Sequence, residues 1–178
     1  MKSSSTFKIT IIALFAALIC VATMLVQIPI PATGGYANLG DGVILICAFL
    51  MPPFYAIIAA GLGSFLADIL AGYVSYAFGT LVIKAGVALV ASILFRRIMK
   101  ALHVKYMLGA MITSSIVAEA FMVLGYFMYE AIVLGLGVGA SGAIVGNIGQ
   151  GLVGVIVSCI VSPALKRSRE INEMLDRL

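Results

Sequence analysis

Residues 29–53 read PIPATGGYANLGDGVILICAFLMPP, and residues 54–84 continue FYAIIAAGLGSFLADILAGYVSYAFGTLVIK. Three charged residues, Asp41, Asp68 and Lys84, stand here inside otherwise apolar sequence. An ionisable group at bilayer depth is costly, so by default it marks a functional site. This stretch is therefore expected to form much of one outward-facing cavity. The sequence around it has the same character. Of 178 residues, 63% are hydrophobic and only 10% are charged. Mean hydropathy is +1.20, and several apolar runs approach the ~20 residues that cross a bilayer. The chain reads as an all-α integral membrane protein, with almost nothing outside the membrane.

Residues 2–28 carry no convincing small-residue cleavage site before the proline-rich segment, so they read as a retained first helix. Cys20, Cys47 and Cys159 all fall in apolar runs. An odd count without CxxC spacing argues against a disulfide framework and a metal site, and no cofactor is expected. The basic residues are clustered: Lys2 and Lys8; Arg96, Arg97, Lys100 and Lys105; Lys166, Arg167, Arg169 and Arg177. Such clusters are held on the cytoplasmic side. Without a basic stripe interleaved with aromatics, they speak for orientation and not for nucleic acid. His103 reads as a further polar residue of the inner loop.

The clusters set the parity of the crossings. Residues 9–28 form the first span, ended by Pro29 and Pro31. Residues 79–96 end at an inner basic cluster, which places GYVSYAF outside. The apolar residues between must then cross twice, and Pro52-Pro53 divides them. The expected spans are 41–51, short or tilted, and 53–71, followed after 79–96 by 106–129 and 143–165. Residues 130–142 are expected as an outer loop, and KRSREINEMLDRL as a short amphipathic cytoplasmic helix. The whole chain, 1–178, thus reads as one membrane domain of six helices, both ends cytoplasmic.

Counting up from the inner basic ends at ~1.5 Å per residue puts Lys84, Glu119, Asn147, Gln150 and Asp68 all about 18 Å or more from the inner face. In a core of about 30 Å, that is the outer half. Unshared polar groups in lipid are expensive, so these should face one another or water. A pocket open outside and closed by apolar sequence below is expected, not a through-channel. Thr80 with Lys84, Glu119 with Met122, Tyr126 and Glu130, and Asn147 with Gln150 and Gly154 each recur at helical spacing. Tyr36, Tyr73, Tyr76 and Tyr126 could offer flat faces. Amides, a few charges and aromatics suit a small, polar, planar heterocycle.

Each residue also has a plainer reading. Lys84 with Glu119 or an Asp could be a buried ion pair fixing helix register. Asp41 could cap the second helix, and Asp68 could bond a helix end. Glu130 could be a solvated rim residue, and the tyrosines an interfacial belt. Asn147 and Gln150 are poor lipid-facing residues, which favours ligand contact. On the first helix, Ala13 and Ala17 form a small-xxx-small pair that lets another helix approach.

The runs QIPIPATGGYANLGDGVIL and GLGSFLADILAGYVSYAFGTLVIKA, with the Ala13-x-x-x-Ala17 pair, resemble the substrate-binding S component of an energy-coupling factor (ECF) vitamin transporter. The resemblance covers almost the full chain. Among such components it looks most like those assigned to hydroxymethylpyrimidine, the thiamine precursor, or to pyridoxine. The resemblance implies a plasma-membrane subunit of a prokaryote that binds a vitamin from outside. It also implies docking on a transmembrane T component attached to two cytoplasmic ATPases. Carried onto this chain, the family's substrate contacts fall on Asn38, Asp41, Tyr73, Tyr76, Lys84, Glu119, Asn147 and Gln150, and docking on Ala13 and Ala17. The chain has no GxxxxGK[ST] loop, as expected of a binding subunit with separate motors. It is not expected to be an enzyme: a paired-Asp metal motif, HExxH and GxSxG are all missing. The competing reading is a proton-coupled small multidrug or metabolite transporter that needs no ATPases and uses Glu119 as proton carrier.

Overall fold

The structure, a computed structural model, describes residues 5–102, 107–175, 177 and 178. Lys2, His103 and Lys105, and the first residue of the expected span 106–129, lie outside the described residues. Helix α1 runs Ser5–Leu25, α2 Gly40–Leu50, α3 Pro53–Ala71, α4 Val74–Leu102, α5 Met107–Met128, α6 Ile144–Leu165 and α7 Arg169–Leu175. Among the described residues, five helical stretches are long and apolar enough to cross a membrane: Ser5–Leu25, Pro53–Ala71, Val74–Ala101, Met107–Val133 and Gly137–Leu165. Their outer faces carry bare apolar side chains, such as Leu70, Val82, Val145 and Ile160, as lipid-facing surfaces do.

Helix α2 is different. Its 11 residues reach only about 16 Å, too short for a bilayer core of about 30 Å. Every residue of it except Val43 is buried. It is the central post of the molecule, packed by α1, α3, α4 and α6. Pro52 and Pro53 stop it and begin α3, with Pro53 at a first-turn position where no N–H is needed. Its C-terminal carbonyls are answered from α4: Ser92 donates to the carbonyl of Ala48 at 2.7 Å, and the Arg96 guanidinium donates to that of Met51.

The structure adds detail in three places. Within the mostly helical fold, residues 27–38 form an antiparallel hairpin, β1 (Gln27–Ile30) and β2 (Gly35–Asn38), with Pro29 opposite Tyr36. The Ile30 carbonyl accepts from the N–H groups of Thr33 and Gly34 to close its turn. GYVSYAF is not a loop. Gly72, at φ 85, ends α3 in the left-handed conformation that glycine adopts freely, and α4 starts two residues later. Finally, 130–142 is not an open loop. A π-helical turn, Tyr129–Val133, extends α5, and a 3-10 turn, Gly137–Ala143, leads into α6.

Between helices in lipid, close packing replaces the hydrophobic drive, so small residues sit at the crossings. A Cβ on Gly63 of α3 would fall 2.5 Å from the carbonyl oxygen of Ala16 on α1. Ala16 is buried there, whereas Ala13 and Ala17 lie on the exposed side of α1. The tail after Lys166 forms only α7, without a buried residue.

Candidate functional site: a polar cavity beneath the hairpin

Every long helix sends polar side chains to the same end of the bundle. Asp41 enters from the first turn of α2, Asp68 and Ser64 from α3, and Tyr76, Thr80 and Lys84 from one face of α4. Tyr126 and Glu130 come from α5 and its π turn, and Asn147 and Gln150 from α6. The hairpin lies across this end with Gly35, Tyr36 and Asn38 facing in, and the groups surround one cavity.

The floor is an ion pair. Lys84 Nζ lies 2.6 Å from Asp41 Oδ1, with the side chains 2% and 1% exposed. Asp41 does not cap α2 with its side chain. Its other oxygen accepts from the Gln150 amide nitrogen at 2.5 Å. Gln150 Oε1 in turn accepts from the backbone N–H of Asn38 at 2.7 Å. One amide thus ties the hairpin to the ion pair. The close approach of α6 needs glycine, since a Cβ on Gly154 would stand 3.0 Å from that of Asp41. Lys84 also sits 5.3 Å from the centre of the Tyr126 ring, a cation–π distance.

The walls hold the hairpin down. The Tyr36 hydroxyl donates to Asp68 Oδ1 at 2.6 Å, and its ring lies 4.3 Å from that of Tyr73. The Tyr76 hydroxyl bonds the carbonyl of Thr33 at 2.8 Å and faces Glu130 Oε1 at 3.2 Å. Tyr126 donates to Thr80 at 3.1 Å. The open space left is about 20 Å³, room for about one water. Small-ligand sites usually offer about 300 Å³ or more.

Of the residues singled out from sequence, Asn38, Tyr76, Lys84, Asn147 and Gln150 line the cavity. Asp41 lies just beneath it, and Tyr73 stands behind Tyr36. Glu119 faces elsewhere: it lines an apolar groove between α5 and α6, which it shares with Asn147. The plainer reading of Lys84 holds geometrically, since its partner is an Asp, but that pair also forms the cavity floor. Tyr36, Asp68, Thr80, Tyr126 and Glu130, noted in the sequence for their depth, spacing or rings, line the cavity too, and the structure adds Thr23 and Ser64. Asp68 does not end its helix with its side chain. Glu130 is no rim residue, being 2% exposed.

An apolar helical bundle with a polar cavity at one end defines an integral membrane protein with a candidate small-molecule site. A family model described as the ECF-type riboflavin transporter, S component, matches residues 3–167, and the chain belongs to this family. It is 30% identical over 173 residues to the thiamine precursor transporter HmpT of Lactococcus lactis subsp. cremoris, covering 97% of this chain and 95% of that one. It is 35% identical over 149 residues to an uncharacterized protein from the gap 3' region of Pyrococcus woesei, covering 84% and 95% of the two chains. Among solved structures, the S component of a bacterial ECF transporter superposes with a TM-score of 0.68 at 21% identity, over 92% of this chain and 97% of that one.

Proposed function

We propose that this protein is the substrate-binding subunit of an ECF-type ABC importer. It captures a small water-soluble vitamin or precursor, of the hydroxymethylpyrimidine or pyridoxine class, at the outer face of a prokaryotic plasma membrane. The cavity carries this reading: charged and amide groups from separate helices converge under a hairpin, at one end only of an apolar bundle. The relative named as a thiamine precursor transporter supports the pyrimidine choice.

Asn38, Tyr76, Lys84, Asn147 and Gln150 contact the substrate, with Asp41 and Tyr73 supporting them, while Glu119 lies in the neighbouring groove. The basic clusters support an inside placement of the opposite end, since Lys166 Nζ lies 4.7 Å from the Phe95 ring and Lys8 Nζ 5.7 Å from that of Tyr55. Six crossings follow if α2 and the hairpin together complete one passage. A T component docks on the exposed side of α1 at Ala13 and Ala17, and two ATPases supply energy.

Glu119 favours a second reading. It is buried, and neither carboxylate oxygen has a hydrogen-bond partner among the described residues, as in a proton carrier. Copurification with a T component and two ATPases, together with extraction of a bound vitamin, is the expected result. Uptake into vesicles without any ATPase, abolished by Glu119→Gln, would establish the proton-coupled transporter instead.

A further inference from the structure

Among the described residues, two carboxylate oxygens and one serine hydroxyl around the cavity are left without partners, and the carboxylates can only accept while ionised. Ser64 Oγ, Asp68 Oδ2 and Glu130 Oε2 are buried without a hydrogen-bond partner among the described residues, and all three residues line this cavity. They are 1%, 3% and 2% exposed. Several nearby donors are already committed. Tyr36 donates to the other Asp68 oxygen, Tyr76 bonds Thr33, and Lys84 and the Gln150 amide both serve Asp41.

Charge has the same sign. Asp68 and Glu130 line the cavity, whereas the one lysine among its lining residues is neutralised from below by Asp41. A buried acceptor left unpaired costs about 1–3 kcal/mol, and more when charged. A ligand that brings N–H groups removes that cost. One that brings carbonyl or phosphate oxygens adds to it.

We infer that Ser64, Asp68 and Glu130 recognise the donor edge of an amino-bearing, protonatable heterocycle, and that the site rejects isosteres with an acceptor or an anion at that edge. This rests on the vitamin-binding reading and adds three residues and a ligand polarity to it. Tyr36, backed by Tyr73, supplies the aromatic wall beside Asp68, and Lys84 holds the floor without serving as an anion anchor. Bonds from a neutral or cationic amine to carboxylates are the stronger, charge-assisted kind. The preference is therefore steep.

Calorimetry on the intact protein in detergent tests this with matched ligands. Hydroxymethylpyrimidine, whose ring carries an exocyclic amino group, is compared with the isostere bearing a carbonyl there, and pyridoxine with its phosphate ester. The amino compound should bind about a hundredfold tighter or more than the carbonyl isostere, and the phosphate ester should not bind. Asp68→Asn and Glu130→Gln keep the shape but present a donor, so each should shrink that ratio about tenfold or more. If either variant fails to fold, the wild-type ratio decides alone. Equal affinity for the two isosteres, or a preference for the carbonyl or phosphate compound, overturns the donor-edge inference and leaves vitamin binding standing. No binding by any of these ligands, nor by thiamine or riboflavin, overturns both.

Discussion

Lys84 on α4 and Asp41 on α2 meet at 2.6 Å in a place almost sealed from solvent. Removing one partner of such a pair strands a buried charge, at a cost of about 3–5 kcal/mol. Replacing both with apolar or neutral groups of similar size often costs far less. Lys84→Met should therefore lower the thermal midpoint in detergent more than Lys84→Met combined with Asp41→Asn. Equal or greater loss in the double variant would show that the pair does not work as a unit.

Gln150 bonds both Asp41 and the Asn38 backbone, and Asn147 shares its face of α6. Gln150→Ala and Asn147→Ala should each weaken ligand binding about tenfold, the worth of roughly one charge-assisted hydrogen bond, while the unliganded protein stays folded. Unchanged calorimetric affinity in both variants removes these amides from the site.

Tyr76 fastens the hairpin through Thr33. Its hydroxyl bond is worth about 0.5–1.5 kcal/mol, so Tyr76→Phe should speed ligand dissociation by roughly twofold to tenfold. Stopped-flow release traces give the answer directly. A wild-type off-rate in the variant would mean the hairpin is held by other contacts.

Ala13 and Ala17 lie on the exposed side of α1. Ala13→Trp and Ala17→Trp should block copurification with the T component yet leave vitamin affinity intact. Normal copurification of both variants counts against that face. The opposite side of α1 behaves differently: Gly63→Val would press on the Ala16 carbonyl and should destabilise by about 1–3 kcal/mol. Gly149→Ala, inside α6 with nothing within 4 Å of the added carbon, should instead stabilise by about 0.5–1 kcal/mol.

How much of this was visible in the sequence differs from element to element. Long apolar runs bounded by basic clusters announce α1, α3, α4, α5 and α6, because composition alone decides what lipid accepts. The hairpin was hidden. Two four-residue strands are too short for an alternating pattern, and Pro29, Pro31, Gly34 and Gly35 read as a turn. The start of α4 was hidden for a related reason: Gly72 lets the chain reverse in two residues, so the aromatic GYVSYAF needs no loop.

At the site, helical spacing placed Lys84 with Thr80 and Gln150 with Asn147, and those groupings hold geometrically. The same spacing linked Glu130 to Tyr126. Taking Glu130 for a rim residue set that link aside, and the π turn carries it inward. Glu119 shares the same helical register but belongs to the groove beside α6. Which way a residue on a nearly all-apolar helix points depends on its neighbours, and those are not written in its own sequence.

Helix α2 also constrains how the protein is made. Eleven residues that include a carboxylate have no stable place in lipid by themselves. The partner that neutralises Asp41 emerges from the ribosome 43 residues later. During insertion this segment must wait, sheltered or outside the bilayer, until α4 arrives to close around it.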